Sequence, residues 1–575
     1  MSNASQTMQG PSAGIFGWIA RHADAVMATA IGVALASKLL LAFRINIHWD
    51  EFYFLSLVHE YVRGDLSLGL QTFHVHLFSW LTQLDGEVAQ VMAARLVMAA
   101  LAAGSALAIY GIARHVAERS GALFAVLGYL ALSVVVEHGA SFRTDPIATF
   151  LALTALYFLI HRPGSIAAAT IAGVALAIAA LVTIKIAFFL PLAAAAIWCL
   201  VPGLRAQLRV ASASGGAFVV AGGLLYLLHV ASLAPADEAV IDHLPGIASK
   251  VLFEDGIFVR WADFLVVVIF NPLFWTIAAE AAIVVWRTAR AGKRRADWLP
   301  LVLALPVLTP LIYRNAFLYY FPLILAPAAI LLAITYEKHR LRAGPAGTRR
   351  GVATIGLLIF VQCGFLAIHV ARNLPDKVAP QRSMLAAIHA TFPQPVPYIG
   401  GFGVVATFPR QGFFMSSWGV EQYRQAGKPV FADIVAKTQP PMLLADAPSL
   451  YGALIPGVTV KEERALLEPD ARFVKENYIA HWGMLFVAGK QLAIPTGRSP
   501  VTFDIAIAGD YRIESAVPLS LDGQRLRPGS VVTLTVGPHT AEVAAGPAQA
   551  ILRWARALPP PTETPIGMLT FFGVD

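Results

Sequence analysis

The chain has 575 residues, 57% of them hydrophobic and 14% charged, with a mean hydropathy of +0.65. Soluble globular chains are less apolar and carry roughly 25% charged residues, so this composition excludes an ordinary soluble protein. The two cysteines, Cys199 and Cys363, lie inside apolar runs, which argues against a disulfide framework and a cysteine-based metal site. The net charge of +8 does not indicate nucleic acid, because the basic residues sit in short loops between apolar runs.

In chain order, the polar stretch from Met1 to about Asp24 precedes the first apolar run. No small-residue cleavage site follows that run, so it reads as an anchor. About eleven apolar runs follow one another, near 25–43, 92–113, 121–136, 146–160, 165–184, 186–201, 210–234, 263–286, 299–313, 316–335 and 352–371. Each approaches the ~20 residues that an α-helix needs to cross a bilayer. The stretch 165–201 is broken only by Lys185 and Pro191.

The loops set an expected orientation. With the N-terminus in the cytoplasm, one set of loops carries Arg114, Arg119, Arg162, Arg205, Arg209, a basic cluster over 287–295 and another over 338–350. The alternate loops carry most of the acids, including Asp50, Glu51, Glu60, Asp65, Asp85, Glu87 and Glu137. Lys and Arg excess marks the cytoplasmic side, so the acidic loops belong outside, and an odd number of spans places the C-terminal region with them.

That region reads as a soluble domain over 372–575, after a transmembrane domain over 1–371. Its first part, 372–495, mixes helix-like stretches (Gln381–Thr391, Trp418–Gln425) with short strand candidates (Val396–Gly400, Met442–Leu444). Its second part, 496–575, is β-rich, with an Asp522-Gly523 hairpin turn. The expected fold class is therefore a polytopic α-helical membrane protein with a C-terminal soluble α/β plus β-rich domain.

Candidate chemistry lies in the outside loops. The first opens with "NIHWDEFYF", where Asp50 and Glu51 stand at the end of the first span. A carboxylate near lipid head groups is partly desolvated, which raises its pKa and suits it to act as a base; the alternative is a solvated acidic pair at a helix end. The second loop, "EHGASFRTDPIATF", places Asp145 before Pro146, an N-cap followed by proline at the first helical position. Arg143 either pairs with that carboxylate or binds phosphate.

Four features occur in order: the acidic pair after the first span, Arg-x-Asp-Pro opening the fourth, Lys185 between two spans in "LVTIKIAFFLPL", and "RNAFLYYFP" with Arg314, Tyr319 and Pro322. Over about 25–335 this pattern resembles the GT-C type glycosyltransferases that use lipid phosphosugars, which include protein O-mannosyltransferases and lipid A aminoarabinose transferases. The resemblance implies an enzyme of the bacterial inner membrane. It would transfer a hexosyl or pentosyl unit, with inversion, from a polyprenyl-phosphate donor to a glycan, lipid or protein acceptor on the periplasmic face. Asp50 would be the general base, with Glu51 and Asp145 as further catalytic carboxylates; Lys185, Arg314, Tyr319 and Arg143 would hold the donor phosphate.

One departure stands out. Where family members often carry Lys-Pro-Pro-Leu, this chain has "TFHVHLF", so His74 and His76 occupy the place of a cationic phosphate contact. They would bind phosphate when protonated, or join His48, His59 or His138 around a divalent metal; side chains two apart on a helix diverge, so shared ligation needs extended backbone. Metal dependence stays open. A transporter or flippase of lipid-linked sugars is the main alternative, but it would show paired halves and mid-membrane charges, which the sequence lacks. A membrane-anchored binding protein would not need so many spans.

Overall fold

The structure is a computed structural model that describes residues 14–235, 256–292, 294–343, 348–495, 500–543, 547–560, 562 and 564–573. Its contacts divide the chain into two units: residues 1–45, 64–78 and 92–375, and residues 46–63, 79–91 and 376–575. The sequence alone grouped everything before 372 together. Two pieces of the first long loop, 46–63 and 79–91, instead cluster with the C-terminal residues.

The first unit is helical. Five described helices are long and apolar enough to cross a membrane: Ala23–Leu41, Glu87–Ala113, Thr144–His161, Leu204–Ala231 and Arg349–Arg372. Two bent pairs, Trp261–Phe270 with Pro272–Gly292 (95°) and Leu318–Ala328 with Ile330–Ala343 (46°), raise the number to seven. The expected count of about eleven is not reached by this measure. The four remaining runs fold as shorter pieces: Arg119–Leu130 and Ser133–His138, Ile166–Val182, Phe189–Leu200, and Leu299–Ala304 followed by the 3₁₀ segment Leu305–Leu311.

The breaks have local causes. Helix Ile166–Val182 ends where Thr183 is extended (φ −156°, ψ 136°), and a 3₁₀ turn, Ile184–Phe188, precedes helix Phe189–Leu200. Pro191 falls in the first turn of that helix, where its missing N–H costs nothing. At the 95° bend the helix restarts on Pro272, and buried Asn271 staples the corner. Its Oδ1 accepts from the Ser133 amide at 2.8 Å, and its Nδ2 donates to Ser133 Oγ at 2.9 Å and to the Val267 carbonyl at 2.7 Å. Gly173 lets helices 166–182 and 204–231 close on each other: a Cβ there would lie 2.1 Å from the Ser214 carbonyl oxygen, the small-residue packing that bilayer helices favour.

The second unit is mixed. Strand Leu485–Ile494 pairs antiparallel with Met442–Leu444, with Tyr478–Trp482 and with Ala548–Trp554. The sheet continues through Gly509–Ser515 to Val531–Leu534 on one side and through Tyr398–Gly400 to Arg410–Gln411 on the other. One sheet thus runs through the point near 495 at which the sequence suggested a subdivision. A second sheet of four strands holds the hairpin Leu519–Leu521/Gln524–Leu526. Asp522 and Gly523 both have positive φ, 50° and 81°, the type I′ geometry whose twist matches a hairpin. Helices Ala379–Thr391 and Ser417–Ala426 fall where the helix-like stretches were read.

Candidate active site

In the helical unit, two chain breaks and one helix start bring together residues far apart in sequence. Arg143 is extended (φ −134°, ψ 167°) and leads into helix Thr144–His161. Asp145 is therefore the second helical residue and not the N-cap expected from Asp-Pro; there its charge complements the helix dipole. Lys185 comes from the 3₁₀ turn between two helices, and its ammonium lies 2.5 Å from Asp145 Oδ1. Arg143 Nε is 3.7 Å from Asp145 Oδ2, beyond hydrogen-bonding range. All three side chains are at most 10% exposed, and Asp145 Oδ2 is buried without a hydrogen bond among the described residues.

Tyr319 organises the cations. The Arg143 guanidinium lies 3.3 Å from its ring centroid and the Lys185 ammonium 5.0 Å, both within cation–π range. Phe317 stacks on Tyr319 with centroids 5.5 Å apart and planes 19° from parallel, and Arg260 lies 3.8 Å from the Phe317 centroid. Two aromatic rings thus carry arginines at both ends. The sequence reading missed Arg260; its signal was a lone arginine at the start of an apolar run, next to Trp261.

Arg314 sits in the turn after Tyr313. The Tyr313 ring packs against Tyr320 (5.0 Å) and against Phe188 (5.6 Å), so Arg314 belongs to the segment that borders the Lys185 turn. Lys38 and Arg95, buried cations inside apolar runs that sequence reasoning did not single out, satisfy helix ends. Lys38 donates to the Val135 carbonyl at 2.6 Å, and Arg95 donates to Ala42 and Ile45 carbonyls at 3.0 and 2.7 Å. Cations suit C-terminal carbonyls.

His74 and His76 turn to different neighbours on the short helix His74–Phe78. His74 is buried against Phe142, ring centroids 6.4 Å apart. His76 Nε2 meets His229 Nδ1 at 2.8 Å, and His229 Nε2 meets Thr72 Oγ1 at 2.9 Å. Burial pushes the His76 pKa down, which favours a neutral ring. Among the described residues no group of three or more His, Cys, Asp or Glu side chains could hold a metal ion.

Asp50 and Glu51 belong to the second unit, on helix Trp49–Arg63. Glu51 is buried and its Oε2 accepts from the His48 amide at 2.9 Å, the reciprocal half of a capping box. That accounts for Glu51 as a helix cap. Asp50 keeps 15% side-chain exposure, with Oδ2 3.5 Å from His48 Nδ1. The same nitrogen faces the Asp50 amide at 3.2 Å; while it accepts that N–H it cannot donate to the carboxylate. Farther along the helix, Tyr53 stacks on Phe414 with centroids 3.7 Å apart, and Glu60 lies 3.5 Å from Arg410.

No family model matches the chain, and no curated protein matches its sequence. Solved structures to which it is similar include the oligosaccharyltransferase of Archaeoglobus fulgidus in the apo form. The identity is 12%, over 89% of this chain and 76% of that one, with a TM-score of 0.47. A second is ArnT from Cupriavidus metallidurans bound to undecaprenyl phosphate, at 14% identity over 76% of this chain and 95% of that one, TM-score 0.49. A third is the S. cerevisiae protein O-mannosyltransferase complex bound to its sugar donor, at 15% identity over 38% and 35%, TM-score 0.32. All three are of the GT-C type.

Proposed function

We propose that the protein is a membrane glycosyltransferase that takes a sugar from a polyprenyl-phosphate donor and passes it, with inversion, to a hydroxyl of a cell-envelope acceptor on the periplasmic face. The observation that carries this reading is the convergence of Arg143 and Lys185 on one tyrosine ring beside a buried carboxylate. Charge held in place inside an apolar bundle needs no reorganisation when a phosphate departs, and it acts most strongly where water is scarce.

In this reading the bond between the sugar's anomeric carbon and the phosphate oxygen breaks as the acceptor oxygen bonds to that carbon. The negative charge that returns to the phosphate meets Lys185, Arg143 and Arg314, with Arg260 behind the aromatic pair. Asp145 holds Lys185 in place, and Asp50 takes the proton from the acceptor hydroxyl. The motif resemblance points the same way.

The deciding experiment uses the full chain in detergent or nanodiscs, a polyprenyl-phosphate sugar and a cell-envelope extract as acceptor. Asp50→Asn keeps shape and hydrogen bonding but cannot take a proton. General bases contribute about 10²–10⁴-fold, so transfer is expected to fall at least about a hundredfold while polyprenyl phosphate still binds. Near-normal transfer by a folded Asp50→Asn protein takes the base role from Asp50; absence of any sugar transfer by the native protein sinks the enzyme reading.

A further inference from the structure

An apolar groove lies in the helical unit, away from the carboxylate and cation clusters described above. Helix Pro272–Gly292 forms one wall, and Leu299–Ala304 with the 3₁₀ segment Leu305–Leu311 forms the other. Ala328 and Leu331, on either side of the 46° bend, border it as well. The space exists because small residues face it: Ala278, Ala279 and Ala282 from one wall and Ala304 from the other. It measures about 540 Å³, within the range of ligand pockets.

The lining is Ala, Leu, Val, Phe and Trp throughout, so its occupant is hydrocarbon. The groove is open along one side, where Leu305 and Leu308 are 49% and 57% exposed. In a spanning segment such a rim meets lipid tails, which are as apolar as leucine.

One helix face leads from the groove to a basic end. Trp275, Ala279, Ala282, Trp286 and Arg290 follow one another at steps of three or four residues, so they form a single stripe. Trp286 is 46% exposed, and the Arg290 guanidinium lies 5.4 Å from its ring centroid. A second such pair stands close by in sequence, with Arg295 5.1 Å from the Trp198 centroid. Over 287–298, Arg287, Arg290, Arg294 and Arg295 stand against one acid, Asp297. Tryptophan beside arginine is the composition of head-group level, and basic clusters there attract anionic lipid.

We propose that this groove holds an acyl chain of an anionic phospholipid of the bilayer, with the lipid phosphate at Arg290. The slot accounts for the chain, and the arginines at one end of it select a head group of net negative charge. The cations proposed above for the donor phosphate lie towards the other end. Arg260 leads into the helix that carries Phe264, whose ring lies 5.3 Å from Trp275. Arg290 is about 27 Å along the helix axis from the start at Pro272. Phosphates so far apart belong to two different lipids. This site does not depend on the transfer reaction proposed above.

The test titrates the full-length protein in detergent with dioleoylphosphatidylglycerol and with dioleoylphosphatidylcholine, and counts bound lipid by native mass spectrometry. Inorganic phosphate and undecaprenyl phosphate serve as competitors. Each cation at head-group level contributes about fivefold, so the anionic lipid is expected to bind at least about tenfold more tightly than the zwitterionic one. Arg290→Gln should weaken the anionic lipid about fivefold, and Arg290→Lys should retain its binding. Ala279→Phe should fill the groove and abolish binding of both phospholipids. Both positions are exposed, so melting temperatures should stay near native. The proposal is overturned if the two phospholipids bind alike, or if Arg290→Gln or Ala279→Phe binds the anionic lipid like the native chain. It is equally overturned if inorganic phosphate displaces that lipid, which would leave only a surface cation, or if undecaprenyl phosphate displaces it, which would make the groove part of the donor site.

Discussion

Asp145 in the helical unit and Asp470 in the C-terminal unit are both buried carboxylates, yet their surroundings are opposite. Asp470 is fully used. Its oxygens accept from the Val430 amide at 3.0 and 3.1 Å, from the Phe431 amide at 3.0 Å and from the Tyr423 hydroxyl at 2.5 Å. Asp145 uses one oxygen for Lys185 and leaves the other buried without a hydrogen bond among the described residues. A saturated buried carboxylate fixes backbone and specifies a fold; a half-saturated one, beside cations on an aromatic ring, costs stability. Such costs concentrate at functional sites.

Four single substitutions, one double substitution and a pH profile sharpen or break this contrast. The largest effect is expected for Lys185→Met, which removes the proposed phosphate contact and strands Asp145. Losing one preorganised donor costs about 10²–10³ in turnover, and breaking a buried pair from one side destabilises by about 3–5 kcal/mol. Double substitution with Asp145→Asn should recover much of the stability and none of the activity; parallel turnover and thermal unfolding separate the two. If activity returns with stability, the pair is structural and the contrast with Asp470 collapses.

Asp470→Ala should behave in reverse. Two amides and a tyrosine hydroxyl lose their acceptor, at a cost of about 2–4 kcal/mol, so the melting temperature falls while turnover per folded molecule stays near normal. A specific loss of turnover would assign Asp470 to the chemistry.

A third carboxylate, Glu87, is also saturated, by His389 at 3.0 Å and by the Thr407 hydroxyl and amide at 2.5 and 3.2 Å. Burial alone would raise the Glu87 pKa, but the hydrogen bonds from His389 and Thr407 outweigh it and lower it below its ordinary 4.5. The hydrogen bond to Glu87 raises His389 above its ordinary 6.5, against burial. Glu87 therefore contributes fully above its unfolded value, and its contribution fades as pH falls through the folded one. His389 contributes fully below its unfolded value and fades as pH rises through the folded one. Stability from this pair should be highest between 4.5 and 6.5. Glu87→Gln should flatten the profile of melting temperature against pH; an unchanged profile would show that the pair is not coupled to unfolding.

The smallest effect is expected at the hairpin tip. Gly523 has φ 81° and open space around its Cα, so Gly523→Ala costs only the left-handed backbone penalty of about 1–2 kcal/mol. A shift seen by hydrogen exchange should stay within residues 519–526.

Periodicity, loop charge and turn chemistry carried much of this protein. Apolar runs of span length require helices, because only a helix satisfies the backbone within a single run in a bilayer. The Asp522-Gly523 pair read as a tight turn, because few residues tolerate positive φ. Lys185 stood out as a charge between two apolar runs, and Asp145 as the acid of an Asp-Pro helix start.

What the sequence left undecided was partnership across distance. That Lys185 meets Asp145, 40 residues away, depends on a helix break at Thr183, and Thr183 carries no breaker signal. Arg260 enters the site through Phe317, a ring-on-ring contact that no local pattern encodes. Glu51 stood second to Asp50 in the sequence, and nothing local shows that its oxygen accepts from the His48 amide. Local propensity is written along the chain, whereas the choice of which buried polar groups satisfy one another is made only when the helices pack. A carboxylate's environment decides whether it caps, braces or reacts, so that choice belonged to the tertiary structure.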